Sequence, residues 1–400
     1  MARKKSSPDS SATSSFSDFF SAQTSVSQST LGRSDVYVGN SSQEVVIGLP
    51  FKAFSLRYFF QNDCFPLSRM TEIYGVSGSC KTALLFEIFK WHVDNNGGYV
   101  YNNTEARDTP DLRSSIIGHD RDKNFPMTMC SSVEDWQKSI TSWFKKGREI
   151  YSELGGCPFP VAIGVDSLTG VASESEISGI WEKGHSEIGF AKSANIINSY
   201  MKFMFNELRV WPYSFIGVNH AKIGRDARGF PQIKVPGGFS LDFHSTIKIF
   251  TQLKDKIEKL KESTRVVNLK MDKNSLSNAG EDREIQVQMK WSMDEETGTQ
   301  HTFWDWHEAS VTVINNLTPT RKSHACEFLG LENIDKSRKT ADCNIVGLKK
   351  ASWSEIGQAI EENSEVKAAL DKMFSIRKRK PFAEKVPYSE QMEMACEEAK

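Results

Sequence analysis

The clearest chemistry lies in one octapeptide, Gly75-Val76-Ser77-Gly78-Ser79-Cys80-Lys81-Thr82. Its small residues let successive backbone N–H groups turn inward, and a helix starting near Lys81 would add the positive end of its dipole. A turn of this kind binds phosphate oxygens. Lys81 is spaced to reach the outer phosphates of ATP, and Thr82 to hold Mg2+ through its hydroxyl. Gly75, Ser77, Gly78, Ser79 and Cys80 would form the cradle. Phosphate-binding loops usually carry glycine just before the lysine, where this chain has Cys80. A thiol at a helix N-terminus is expected to ionise easily and react readily.

Two carboxylates could complete the site. Asp166 follows the apolar run 159–165. An acid at the C-terminal end of a buried strand sits where open α/β sheets bind ligands. With Ser167 it would order the water shell of Mg2+. Glu105 comes just after the run 98–102 and is placed to orient or deprotonate an attacking water. Alone, Glu105 reads rather as a loop acid with no partner. A basic, glycine-rich stretch, 222–238, carries Lys222, Arg225, Arg228 and Lys234 with Phe230 and Ile233, and closes on Gly237-Gly238. Phosphate-contacting cations mixed with apolar wedges suit sequence-tolerant binding of single strands. The same composition also fits an exposed basic loop, and its glycines predict mobility.

These residues need a frame, and the apolar pattern supplies one. Strands are expected at 70–74, 98–102, 159–165, 213–218 and 245–251. Helices are expected at 81–93, which is apolar almost all round, at 132–148, and at 190–208, where Ile197, Met201, Met204 and Leu208 share a face. Strands alternating with helices predict an α/β fold, a mostly parallel central sheet flanked by helices. Residues 263–271 and 283–292 alternate with period two and read as an antiparallel pair. Residues 353–374 read as an amphipathic helical cap, and 376–400 as a loose charged tail whose run Arg377–Lys380 is solvated.

Three regions follow: an arm over 1–45, a core over 46–315, and a small helical region with its tail over 316–400. The arm is rich in serine and threonine and is expected to be flexible. Its apolar knot Phe16-Ser17-Asp18-Phe19-Phe20 either touches its own domain or docks on a neighbouring subunit. The 400 residues carry a net charge of −1, so any nucleic-acid contact must be a local stripe. The seven cysteines are widely spaced without a CxxC pair, which argues against a disulfide framework or structural zinc and fits a reducing cytoplasm. No apolar run reaches the roughly 18 residues of a membrane span, and no signal peptide is expected.

In order along the chain, these motifs resemble the RecA family of recombinases, and its phage UvsX branch in particular. The resemblance rests on Phe65-Pro-Leu-Ser-Arg-Met-Thr-Glu-Ile-Tyr-Gly75 leading into the loop, Glu105 with Thr109-Pro110, and Asp166-Ser167. It rests also on Glu176-Ile-Ser-Gly179, Glu187-Ile-Gly-Phe-Ala191, Asn219-His220 and Gly237-Gly238. It covers roughly 46–315. It implies a RecA-type P-loop ATPase core, with Glu105, Lys81 and Lys273 catalytic and Lys273 reaching a neighbour's ATP. It implies that Asn219 or His220 senses the γ-phosphate and that 222–238 is the second DNA-binding loop. It implies a DNA-dependent ATPase that assembles into helical filaments on single-stranded DNA and exchanges strands with a homologous duplex. A loader and a single-strand-binding protein are the accessory partners implied. Trp181, in the region of the first DNA loop, is either a stacking or an interface residue. The chain departs from the family at Cys80, at Ser275, where a second basic residue is expected, and at Leu112, where an adenine-stacking tyrosine is expected. The departures keep two alternatives open: another RecA-fold motor such as a hexameric helicase or KaiC-like ATPase, and a catalytically weak DNA-binding paralogue.

Overall fold

The computed structural model describes residues 46–400, apart from 107–109, 152–156, 184–191, 226–227, 229–230, 236–238, 259–261, 278–282, 318, 333–339, 384–385, 387 and 399–400. The arm, with Phe16–Phe20, therefore lies outside the described residues, as do Thr109, Glu187–Ala191, Phe230, Gly237 and Gly238.

The chain begins with β1 (Ile47–Pro50), α1 (Phe54–Phe60), β2 (Cys64–Pro66), β3 (Met70–Gly75) and α2 (Lys81–Asp94). It continues through β4 (Gly98–Asn103), α3 (Pro110–Ile117), α4 (His119–Asp122), β5 (Met127–Met129), α5 (Val133–Tyr151) and β6 (Val161–Asp166). Next come α6 (Glu174–Lys183), α7 (Lys192–Leu208), β7 (Tyr213–His220), β8 (Lys222–Arg225), β9 (Pro231–Lys234) and α8 (Phe239–His244). The core closes with β10 (Ile247–Glu258), β11 (Glu262–Asn274), β12 (Arg283–Met293), β13 (Gln300–Trp304) and α9 (Trp306–Asn316).

The central sheet has nine strands in the order β13-β12-β11-β10-β3-β7-β6-β4-β5. From β10 to β5 every pairing is parallel, while β10 to β13 pair antiparallel. The expected α/β architecture, a large and mostly parallel sheet flanked by helices, is present. Against one face packs α2, whose Phe89 stacks on Tyr99 with ring centroids 4.5 Å apart. Against the other face pack α5 and α7, through Trp136, Ile140, Phe144, Ile197, Met201 and Met204. The all-round apolar character of α2 follows from its place between the sheet and a second layer containing α9. No helix among the described residues is long and apolar enough to cross a membrane.

Residues 353–374 are helical as expected, but a small sheet precedes them and the tail after them is structured. The C-terminal part contains α10 (Pro319–Leu329), a small sheet of β14 (Leu331–Glu332), β15 (Thr340–Cys343) and β16 (Leu348–Ser352), then α11 (Trp353–Glu362) and α12 (Ser364–Met373). Asn363 separates α11 from α12 because its side chain accepts from the N–H groups of Glu365 and Val366 and caps the second helix. The run Arg377–Lys380 is anchored to the core, although Arg377 and Lys378 are exposed as expected. Arg377 donates to the Leu276 carbonyl (3.0 Å), Arg379 to Asn62 Oδ1 (2.8 Å), and β17 (Lys380–Pro381) pairs with β1. The chain ends on α13 (Tyr388–Glu398), whose buried Tyr388 hydroxyl lies 2.6 Å from Ser68 Oγ just before β3. Guanidinium groups recruited to bare backbone carbonyls look, in sequence, like any basic run.

Arg57 of α1 holds this region to the core. Its fully buried guanidinium meets Glu361 of α11 (2.5 Å) and Asp371 of α12 (2.8 Å). Replacing one partner of a buried ion pair strands the other charges, so Arg57→Ala should cost about 3 kcal/mol or more in urea unfolding. A cost below about 1 kcal/mol would mean that the carboxylates are satisfied by Lys367 and Lys378 alone, which also reach them.

Candidate nucleotide-binding site

Strand register assembles the site. Gly75 at the end of β3 is the Cα partner of His220 at the end of β7. Asp166 at the end of β6 is opposite both Val218 of β7 and Asn103 of β4. The C-terminal ends of four parallel strands thus reach one edge together, and the loops after them share one space. The strand inserted between the loop strand β3 and the acid strand β6 is the one that ends in Asn219-His220.

The loop itself is tight at its start and strained at its end. A Cβ on Gly75 would lie 2.4 Å from the Thr251 carbonyl oxygen, so the close approach to β10 requires glycine. Ser79 is buried and its hydroxyl lies 2.8 Å from Thr251 Oγ1. Gly78 has φ +77° with open space around it. Cys80 adopts φ 66°, the left-handed conformation that explains why glycine is usual here. The expectation of an easily ionised thiol is wrong: burial pushes the Cys80 thiol up, and this outweighs the nearby Arg265 and Lys81. Ser77 is exposed at the tip of the turn.

Four predicted side chains converge behind this loop. Thr82 Oγ1 donates to Asp166 Oδ2 at 2.6 Å. Lys81 is buried, donates to the Val76 carbonyl at 2.8 Å, and has its pKa lowered by desolvation, against the pull of Asp166 and Glu105. Asp166 is 4% exposed, and burial raises its carboxyl to about 6 despite the Thr82 bond. Glu105 is aimed by an Asx turn, in which Asn103 Oδ1 accepts from the N–H groups of Glu105 (3.1 Å) and Ala106 (3.0 Å). Its carboxylate hydrogen-bonds the His220 imidazole. Thr82 and Asp166 suit Mg2+, which keeps waters and shares phosphate oxygens and needs few protein ligands. Among the described residues no cluster of three or more His, Cys, Asp or Glu side chains could hold a metal by itself.

Asn219 and His220 take different places. His220 meets the Glu105 carboxylate. Asn219 is fully buried, accepts from Thr169 Oγ1 (2.8 Å), and donates to Glu72 Oε1 (3.2 Å). Glu72, in turn, lies 3.3 Å from Lys248 Nζ, and Lys248 also bonds Asp242 of α8. Lys273, predicted to be catalytic, is outside this constellation: its Nζ donates to the Asp242 carbonyl at 2.6 Å. A carboxylate in the fully buried strand Met70–Gly75 is the one sequence signal that could have disclosed Glu72.

Within the basic segment, residues 222–225 pair with 231–234. Lys222 is the Cα partner of Lys234, and Arg225 of Pro231, making a two-stranded ribbon. Lys222, Arg225 and Arg228 are exposed. The side chain of Lys234 lies outside the described residues. Trp181 on α6 is 86% exposed, and Leu112 packs half-buried against the core.

Two predictions follow from the local energetics. The native carboxyl of Asp166 holds its proton more tightly than the unfolded chain does, so its contribution is complete at low pH and is lost as pH rises through about 6. Asp166→Asn should therefore stabilise the ligand-free protein by about 3 kcal/mol at pH 8, with the gain closing toward pH 4 in urea titrations. A gain independent of pH would show that Asp166 is not the strained group. Cys80→Gly should add about 1 kcal/mol by relieving the left-handed backbone, whereas Cys80→Ala, which keeps Cβ, should not. Equal effects of the two substitutions would remove backbone strain as the cause.

No protein-family model matches this chain, and no curated protein is similar to it.

Proposed function

We propose that this chain is an ATP-dependent recombinase of the RecA family, closest to the phage UvsX branch, that works as a filament on single-stranded DNA. The observation that carries this reading is the convergence of Lys81, Thr82, Asp166, Glu105 and His220 at one sheet edge behind a glycine- and serine-rich turn. Lys81 and the loop N–H groups would bind the phosphates of ATP. Thr82 and Asp166 would hold Mg2+, which would neutralise charge on the transferring phosphoryl group. Glu105 would position the attacking water, with His220 fixing its carboxylate.

The DNA end of the reading has separate support. The ribbon of β8 and β9 begins two residues after His220 and displays Lys222 and Arg225 to solvent, with Arg228 exposed between its strands. A change of contact at His220 on phosphate release is therefore transmitted over a short path to the basic ribbon. Affinity for DNA would follow nucleotide state. Lys273, bonded beside α8, would reach a neighbouring copy's ATP only in an assembled filament.

ATP hydrolysis with and without single-stranded DNA tests this directly. Stimulation by DNA is expected, with loss of about a hundredfold or more in Lys81→Ala. Hydrolysis indifferent to DNA would favour another RecA-fold motor. Absence of hydrolysis in the wild-type chain would favour a DNA-binding paralogue, with Cys80 and Ser275 as the altered positions.

A further inference from the structure

Arg265 of β11 is a cation that neither the motifs nor the reading above uses. It lies on the strand face that also carries Val267 and Leu269, which are buried against the α2 layer. Its half-buried guanidinium comes to the loop, with Nη1 3.9 Å from Cys80 Sγ. Its charge is felt by the exposed carboxylate of Glu258, which pairs with Lys256, but no ion pair or further hydrogen bond to the described residues holds it. A guanidinium carries five N–H donors in a planar fork. Here one of them is spent on sulfur, a weak acceptor, and four remain beside an anion-binding turn. Arginines held at such places without a close ion pair suit phosphate oxygens.

The missing glycine fits the same arrangement. With glycine before Lys81 the side of the loop toward β11 would be bare. Cys80 occupies it, and its left-handed backbone directs the thiol at Arg265. The thiol sets the guanidinium against the end of the loop that leads into α2.

We propose that Arg265 is an additional nucleotide-binding residue that contacts the phosphate chain held by residues 75–82 from the β11 side. This rests on the reading of that loop as a nucleotide site. It deepens that reading by adding a cation from the same subunit, distinct from Lys81 and Lys273.

The test is a double-substitution cycle on the full chain, with Mg·ATP and inorganic tripolyphosphate as probes in calorimetry. Arg265→Gln should weaken both about tenfold, the size expected of a charge-assisted hydrogen bond, and Arg265→Lys should recover part of the loss. The loss should persist when the same change is made in Cys80→Gly. A loss that disappears in the Cys80→Gly background would mean that Arg265 acts only by packing the thiol, and would overturn the proposal. So would unchanged affinity in Arg265→Gln. Circular dichroism and unfolding midpoints guard against misfolding, and Arg265→Lys carries the test if the glutamine variant does not fold. Failure of the wild-type chain to bind Mg·ATP at all would instead sink the nucleotide-site reading on which this rests.

Discussion

The register of the parallel strands is the constraint on which everything else in this chain depends. Side chains on β3, β4, β6 and β7 meet only because Gly75 is level with His220 and Asp166 with Asn103. A slip of one residue would turn each side chain to the opposite face. The slip is prevented from both sides. Tyr99 and Tyr101 of β4 lock against Phe86 and Phe89 of α2, and Ile163 and Val165 of β6 pack toward α5 and α7. Chemistry at the edge is thus held by aromatic and aliphatic packing in the middle.

That frame was legible in the residues, and for a physical reason. Buried parallel strands are short apolar runs, and the helices that cover them repeat at 3.6 residues, so β3, β4, β6 and β7 and helices α2, α5 and α7 leave strong marks. The loop and its acids were legible because phosphate and Mg2+ demand particular residue types at particular distances. What could not be read were partners chosen by space rather than by spacing. Glu72 finds Asn219 and Lys248 across three strands. Arg379 finds Asn62 and the Leu276 carbonyl, and Tyr388 finds Ser68. No period or motif encodes such contacts, and a two-residue strand such as β17 is too short to carry a pattern. The thiol of Cys80 failed in the opposite way: the helix-terminus rule was sound, but burial, invisible in sequence, proved the larger effect.

The buried polar groups form two sets with different logic. Arg57 with Glu361 and Asp371 is a closed set, since each charge has its opposite and the group ties helices together. At the sheet edge the set is open. Asp166 is raised, Lys81 is lowered, and Cys80 sits in a left-handed conformation of roughly 1–2 kcal/mol. Each of these costs falls within a loop of eight residues and the strand end beside it.

An open set of this kind is a statement about ligands. Desolvation penalises the charged forms of both Lys81 and Asp166, and their mutual attraction does not fully offset it. A polyanion accompanied by a divalent cation would restore both, the anion to Lys81 and the cation to Asp166, and each would reinforce the other through the Thr82 hydroxyl that lies between the loop and the acid. Binding to the folded chain alone then stabilises it by mass action. Relief of desolvation at Lys81 and Asp166 by such a ligand would therefore add to its binding free energy.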